Sequence, residues 1–95
     1  MKILNSRVIN QFIRREPQSK TSLDFWAKVV NTIEWKNAGD IATTFNSVDG
    51  LGSNKFIFNI GGNKYRLAAM VWFKRQMIYI LKIMTHKEYD KEIWK

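Results

Sequence analysis

The stretch that decides the fold is Lys55 to Lys87, which reads KFIFNI-GGN-KYRLAAMVWF-KRQ-MIYILKIM-THK. β-Branched and aromatic residues that alternate with short runs of turn-forming residues are typical of β-strands. Gly61, Gly62 and Asn63 can adopt the positive φ angles that a tight hairpin requires. The stretch therefore predicts a meander of three antiparallel strands.

Charge of a single sign runs through the same stretch. No Asp or Glu occurs from Gly50 to Lys87. A sheet whose charges are all positive is suited to an anionic partner, although a basic surface that serves only solubility is the plainer interpretation. The basic side chains in the stretch are Lys55, Lys64, Arg66, Lys74, Arg75, Lys82 and Lys87.

Alternation along the middle strand separates its side chains into two faces. The apolar set predicts a core face: Tyr65, Leu67, Ala69, Val71 and Phe73. The other set is mixed: Lys64, Arg66, Ala68, Met70, Trp72 and Lys74. Cations interleaved with aromatic rings suit single-stranded RNA, because the cations pair with phosphates and the rings stack on bases. An ordinary solvated face, with Trp72 covered by a loop, explains the same pattern.

The first half of the chain predicts a short edge strand over residues 2–4 and two amphipathic helices that cover one face of the sheet. Asn5 or Ser6 is expected to cap the first helix, and Pro17 to end it. The apolar stripe of the first helix is Val8, Ile9, Phe12 and Ile13. The second helix begins at Ser19 or Thr21, and its stripe is Leu23, Trp26, Val30 and Ile33, widened by Phe25 and Val29.

Shorter elements complete the predicted α+β fold. Asp40 is expected to cap a single helical turn, and residues 46–54 are rich in turn formers and predict a loop. Thr85 and Glu88 match the capping-box pattern at the start of a helix. Tyr89 and Ile93, four residues apart, fit a short C-terminal helix.

Composition limits the classes of protein that remain. The chain of 95 residues predicts a single domain over 1–95, and its net charge is +8. With no Cys and one His, we expect neither a metal site nor a cofactor. No apolar run approaches the ~20 residues of a membrane helix, and no signal peptide is recognisable, so a cytoplasmic protein without a membrane partner is expected.

Two motifs resemble the HigB toxin family: FNIGGNKYRL at 58–67 and THKEYD at 85–90. Residues 14–19, 25–26, 35–37, 40–41 and 44–45 are also similar to that family. HigB proteins are messenger-RNA interferases of type II toxin–antitoxin systems, within the RelE/ParE-like superfamily. The resemblance implies a RelE-like twisted antiparallel sheet with two N-terminal helices packed on one face.

The resemblance also implies a function and its partners. The expected activity is an endoribonuclease that cleaves messenger RNA in the ribosomal A site. The expected partners are the ribosome, messenger RNA and a HigA-type helix-turn-helix antitoxin, with operator DNA contacted only through that antitoxin. Many members carry Arg where this chain has Leu81, and alternation predicts that the neighbouring Lys82 points to the opposite face.

RNA cleavage without a metal uses the adjacent 2′-OH as nucleophile, which requires proton transfer and cations at the phosphate. We expect Arg66 and Lys64 to stabilise the transition state, since they are two apart on one strand. His86 is a candidate acid–base group, and Tyr89 either contributes to catalysis or anchors the tail. Asp90 either orients His86 or pairs with Lys87. Residues expected to contact RNA or the ribosome are Lys55, Trp72, Lys74, Arg75, Lys82 and Lys87.

Two other functions fit the same residues. A basic module could bind RNA or a ribosomal site through this sheet without catalysis. A ParE-like inhibitor of gyrase would keep the fold and change the target.

Overall fold

The computed structural model describes residues 1–91 of the chain and has an α+β fold. Ile93, which was part of the predicted C-terminal helix, lies outside the described residues. The helices are α1 (Arg7–Arg15), α2 (Lys20–Thr32), α3 (Ala38–Thr44) and α4 (His86–Lys91), with a 3-10 turn at Pro17–Ser19. The strands are β1 (Lys2–Leu4), β2 (Val48–Gly52), β3 (Lys55–Ile60), β4 (Tyr65–Trp72) and β5 (Met77–Thr85).

The strands form one sheet in the order β1-β5-β4-β3-β2. β1 runs parallel to β5, and the remaining neighbours are antiparallel. The predicted meander is confirmed as β3, β4 and β5, and so is the N-terminal edge strand. Gly61, Gly62 and Asn63 all have positive φ, as the predicted hairpin between β3 and β4 requires.

The prediction that residues 46–54 form a loop is wrong, because Val48–Gly52 is strand β2. Asp49 pairs with Ile57 and Gly50 with Phe56, so this segment adds an edge strand to β3. Pairing with a strongly strand-forming neighbour outweighs the low strand propensity of Asp and Gly. Residues 46–47 before β2 and the turn at 53–54 after it lie outside the strands, as predicted.

α1 and α2 pack on one face of the sheet and bury its apolar side chains, as predicted. Ile9 and Phe12 from α1 and Leu23, Trp26 and Val30 from α2 lie in the core. The predicted core face of β4 also belongs to this core: Tyr65, Leu67, Ala69, Val71 and Phe73.

The predicted widening of the α2 stripe is wrong at Phe25, whose side chain is 64% exposed. Val29 is half-buried. The helix presents the narrower row of Leu23, Trp26 and Val30 to the sheet, and Phe25 lies outside it. A large aromatic ring is therefore left on the surface of the helical layer.

Four aromatic rings form the centre of the core. The ring of Phe58 contacts Trp26 edge-on at 5.4 Å and Phe45 edge-on at 5.7 Å, and it stacks on Trp35 at 6.1 Å. Trp35 and Phe45 also contact each other at 6.0 Å. Phe58 on β3 therefore joins α2 and the α3 region to the sheet.

Two of the predicted helix caps differ from the structure. Ser6 precedes α1 but makes no side-chain capping hydrogen bond, and Asn5 instead donates from Nδ2 to the Ile80 carbonyl at 2.9 Å. Asn37, not Asp40, caps α3, because its Oδ1 accepts from the Asp40 N–H at 3.1 Å. Asn5 serves to join the start of α1 to β5.

The face of the sheet away from α1 and α2 is called here the outer face. Cross-strand partners in an antiparallel sheet share a face. The register therefore places these residues on it: Lys55, Ile57, Asn59, Arg66, Ala68, Met70, Trp72, Met77, Tyr79, Lys82 and Met84. β4 runs through its middle and carries Arg66 at one end and Trp72 at the other.

A bulge in β5 changes which residues reach the outer face. Ala69 pairs with Ile80 and Ala68 with Lys82, so Leu81 has no partner in β4. Leu81 packs with Ala68 on the outer face, and Lys82 shares that face through its pairing. The prediction that Lys82 points away from the Leu81 side is therefore wrong, because the extra residue interrupts the alternation.

Helix α4 is held against the rest of the fold by Glu88. The predicted capping box is confirmed: the Thr85 N–H donates to Glu88 Oε1 at 2.9 Å, and the Glu88 N–H donates to Thr85 Oγ1 at 3.1 Å. Arg15 on α1 donates to both carboxylate oxygens of Glu88, at 2.6 and 2.8 Å. The hydrogen bonds from Arg15 and from the Thr85 backbone hold the pKa of Glu88 at about 2.

We expect Phe58→Ala to lower the free energy of unfolding by about 3–5 kcal/mol, because it opens a cavity at the centre of the aromatic core. Urea unfolding followed by circular dichroism measures this loss, and Phe58→Leu should lose less. Phe25→Ala is the matched control on the exposed ring and should stay within about 0.5 kcal/mol of the parent. Equal losses at the two positions would contradict this account of the core.

We expect the stabilising effect of Glu88 to depend on pH. The folded-state pKa is lowered, so the stabilisation is present above the unfolded-state pKa of about 4.3 and is lost as the pH falls toward 2. Because the pair with Arg15 is largely exposed, Glu88→Gln should cost only about 1 kcal/mol at pH 7. Urea unfolding of both proteins from pH 7 to pH 3 measures the difference.

Asp24→Asn, which removes the exposed Lys20–Asp24 pair, is the matched control for that experiment at pH 7. It should change the free energy of unfolding by less than about 0.5 kcal/mol. A difference between the parent and Glu88→Gln that stays constant from pH 6 to pH 3 would show that the carboxylate of Glu88 contributes no charge-dependent stability.

Candidate functional site

Four residues predicted from two distant segments meet at one end of the outer face. The His86 N–H donates to the Lys64 carbonyl at 2.9 Å, which joins the start of α4 to the turn before β4. Three residues further along α4, the Tyr89 ring faces the Arg66 guanidinium at 5.5 Å. The predicted catalytic set of Lys64, Arg66, His86 and Tyr89 is thus assembled in one place, where we call it the α4 site.

Arg66 is the most constrained cation of the α4 site. Its Nη1 donates to the Asn63 carbonyl at 2.9 Å and to the Tyr65 carbonyl at 3.2 Å. Within residues 1–91 no carboxylate forms an ion pair with it. A guanidinium fixed by carbonyl oxygens and an aromatic ring retains N–H groups that can bind a phosphate.

Lys64 lies in the turn just before β4 and is exposed. Lys64 was predicted to share a face with Arg66 because side chains alternate along a strand. In the structure β4 begins at Tyr65, so this alternation does not determine the position of Lys64. Its position relative to α4 comes from its carbonyl, which holds the His86 N–H. Lys64 therefore adds an exposed basic side chain to the turn that precedes Arg66.

His86 is oriented by Asp90 one turn later in α4. The distance between His86 Nδ1 and Asp90 Oδ2 is 2.9 Å, and both side chains are more than half exposed. Of the two predicted roles for Asp90, the structure supports orientation of His86. When Nδ1 carries the proton toward Asp90, Nε2 is left to exchange a proton with a ligand.

Tyr89 anchors α4 to the sheet. It is half-buried and packs against the small cluster of Ile57, Ala68 and Met84 on the outer face. The same ring contacts Arg66. The predicted anchoring role is therefore supported by its packing, and the ring also helps to fix the guanidinium.

The other predicted contact residues are spread along the outer face and its ends. Trp72, Lys74 and Arg75 line a groove of about 410 Å³ with Asn54 and Phe73. This groove is about 20 Å from Arg66, six residues along β4 at ~3.3 Å per residue. Lys55 lies opposite Met70, Lys82 lies opposite Ala68, and Lys87 is exposed on α4.

Three residues of this region were not predicted from the sequence to be part of the site. Arg15 and Glu88 hold α4 in place. The sequence indicates the capping box between Thr85 and Glu88, but it does not indicate the ion pair between Glu88 and Arg15. Tyr79 lies opposite Met70 on the outer face and is 38% exposed. Its position within β5 was a signal for this exposure, since it alternates with the buried Ile78 and Ile80.

The described residues contain no group of three or more His, Asp or Glu side chains placed to hold a metal ion. No helix within residues 1–91 is long and apolar enough to cross a membrane.

Comparisons with known proteins agree with the fold. Residues 19–92 match the model of the HigB toxin family, described as a RelE-like toxic component of a toxin–antitoxin system. The mRNA interferase toxin HigB of Escherichia coli K12 is 33% identical over 92 residues, which cover 95% of this chain and 88% of that protein. The mRNA interferase HigB of Shigella flexneri gives the same values.

A more distant relative is the mRNA interferase HigB of Escherichia coli O6:H1, which is 25% identical over 93 residues, covering 96% of this chain and 90% of that protein. Both the family match and the relatives at 33% identity extend over most of the chain. The chain therefore belongs to the HigB family of RelE-like toxins of toxin–antitoxin systems.

Proposed function

We propose that this chain is an endoribonuclease that cleaves messenger RNA at the α4 site. The observation that carries the proposal is the convergence of Lys64 and Arg66 with His86 and Tyr89, joined by the His86–Lys64 backbone hydrogen bond. Relatives named mRNA interferase support the choice of RNA as substrate.

The proposed reaction uses the 2′-OH beside the scissile phosphate as nucleophile. The 2′-oxygen bonds to phosphorus, and the bond from phosphorus to the 5′-oxygen of the next nucleotide breaks. The 2′-OH gives up one proton, and the departing 5′-oxygen receives one. The products are a 2′,3′-cyclic phosphate and a free 5′-OH. The bonds and protons of this reaction balance without a metal or a cofactor.

Arg66 and Lys64 are proposed to stabilise the charge that builds up on the phosphate. The guanidinium can offer two parallel N–H groups to the phosphate oxygens, and the ammonium adds a point charge. The hydrogen bonds from Arg66 to the Asn63 and Tyr65 carbonyls restrict its position before substrate arrives. Such preorganisation contributes more to catalysis than a freely moving cation does.

His86 is proposed to transfer a proton through Nε2, while its Nδ1 remains hydrogen-bonded to Asp90. This arrangement fixes the ring and its protonation pattern, as a carboxylate partner commonly does for catalytic histidines. Tyr89 is proposed to keep the Arg66 guanidinium beside α4 through its ring.

Translating ribosomes are the proposed setting of the reaction, with cleavage in the A site. A toxin that works there has to contact ribosomal RNA as well as its substrate, which is consistent with basic residues beyond the α4 site. The residues proposed to contact RNA or the ribosome are Lys55, Trp72, Lys74, Arg75, Lys82 and Lys87. A HigA-type helix-turn-helix antitoxin is the proposed partner in the cytoplasm, and operator DNA would be reached through that antitoxin.

The experiment that tests the function is primer extension on a defined messenger RNA, incubated with purified protein, with and without translating ribosomes. We expect cuts at fixed positions within codons that appear only with ribosomes. Cuts on naked RNA would remove the ribosome from the proposal and keep the enzyme. Intact RNA in both lanes, with a folded protein, would overturn the endoribonuclease proposal in favour of a binding module or a gyrase inhibitor.

Arg66→Ala should lower the rate of cleavage by about 10²–10³-fold, the loss typical of removing one preorganised donor from a transition state. Arg66→Lys should recover part of that rate, because it keeps the charge and loses the planar fork. Single-turnover kinetics on the mapped site measures both rates. Arg7→Ala, at an exposed position on α1, is the matched control and should leave the chemical step unchanged. A normal rate for Arg66→Ala would exclude it from the chemistry.

Tyr89→Phe should cleave within a few fold of the parent, because the ring that packs on Arg66 remains. Tyr89→Leu should cleave about tenfold more slowly, because the guanidinium loses its aromatic contact. The same single-turnover assay compares the two variants, after circular dichroism shows that both are folded. If Phe and Leu are equally slow, the hydroxyl takes part in the chemistry and the proposed positioning role is wrong.

A further inference from the structure

The middle of the outer face presents an aromatic ring that the proposed reaction does not use. Tyr79 is 38% exposed, and its hydroxyl makes no hydrogen bond within residues 1–91. Across the sheet it lies between Met70 on β4 and Leu4 on β1. The ring therefore lies beside apolar side chains in the middle of the outer face.

Tyr79 lies between the two ends of the outer face. Its partner Met70 is four residues from Arg66 along β4, or about 13 Å at ~3.3 Å per residue. Trp72 lies two residues further along the same strand. Aromatic rings thus occur at the α4 site, at the middle of the face and at its far end, in the order Tyr89, Tyr79, Trp72.

The charges along this row of rings favour a polyanion. Lys55 lies opposite Met70 and Lys82 opposite Ala68, so cations flank the path between the rings. Arg75 lines two grooves together with Trp72. Among the strand residues of this face that the structure describes, the acidic side chain is Asp49, on the edge strand β2 opposite Ile57.

We propose that the outer face binds a run of single-stranded RNA in which Tyr79 stacks on a base about four nucleotides from the scissile phosphate. A distance of ~13 Å corresponds to about four nucleotides when the bases are stacked ~3.4 Å apart. It corresponds to fewer nucleotides where the RNA strand is extended. The inference rests on the proposed function for the position of the cut. It adds a contact that sets how much RNA is held on one side of that cut.

Stacking is the contact that this ring can provide. A π-face accepts any base, so Tyr79 contributes to affinity with little dependence on sequence. The neighbouring cations supply the salt-dependent part of the affinity. Loss of the ring and loss of a cation therefore have different signatures in a binding experiment.

The test measures binding of fluorescent 2′-O-methyl oligoribonucleotides by anisotropy, because methylation blocks the 2′-OH and prevents cleavage. We expect Tyr79→Ala to weaken binding of an eight-nucleotide probe about tenfold, and to leave a two-nucleotide probe unchanged. Tyr79→Phe should bind like the parent. Phe25→Ala removes an exposed ring from the helical layer and serves as the matched control, with no change expected.

Salt dependence separates the ring from the charges. The slope of log K against log salt should be unchanged in Tyr79→Ala, since no cation is lost, and should flatten in Lys55→Ala. Parent-like affinity of Tyr79→Ala for the eight-nucleotide probe would overturn the inference. So would a parent protein that binds neither probe.

The inference and the proposed function fail in distinguishable ways. A protein that cleaves messenger RNA while Tyr79→Ala binds normally contradicts only the stacking contact. A protein that binds the long probe through Tyr79 and cleaves nothing contradicts only the nuclease.

Discussion

The alternation of side chains along β4 is the constraint on which the rest of the structure depends. β4 has neighbours on both sides, so every second residue has to enter the core under α1 and α2, and the others have to lie on the outer face. The side chains that enter the core include Leu67, Ala69 and Val71, which have no exposed surface. Arg66 and Trp72 are thereby fixed on the other face, at opposite ends of one rigid strand. Strand geometry, and not a mobile loop, sets the distance between them.

α4 completes one end of that face through a short chain of contacts. Thr85 ends β5 and begins the helix, Glu88 closes the capping box, and Arg15 reaches from α1 to the same carboxylate. Because the last residue of β5 is the capping residue, the helix cannot shift along the strand without breaking both hydrogen bonds. His86 and Tyr89 are consequently delivered to Lys64 and Arg66 from a segment about twenty residues away.

Much of the fold follows from local patterns in the sequence, and what was missed depends on tertiary pairing. The meander, the core face of β4, the two helices and the capping box are all encoded by spacing and residue type. Strand β2 was not predicted because Asp49 and Gly50 have low strand propensity. They form a strand here because they pair with the edge of β3. The outer-face position of Lys82 was missed because a bulge at Leu81 has no sequence signal. Within the site, motifs identified the residues, but the Arg15–Glu88 and His86–Asp90 contacts required the folded chain.

The central claim is that the α4 site cuts RNA by activating its own 2′-OH. Analysis of the ends of the cleavage products tests this most directly, using RNA cut by the purified protein under the conditions that give cleavage. The mechanism predicts a 2′,3′-cyclic phosphate on the upstream fragment and a 5′-OH on the downstream one, and no cut where a single 2′-deoxynucleotide replaces the nucleotide before the scissile phosphate. A 3′-OH with a 5′-phosphate, or normal cleavage of the deoxy-substituted RNA, would contradict it.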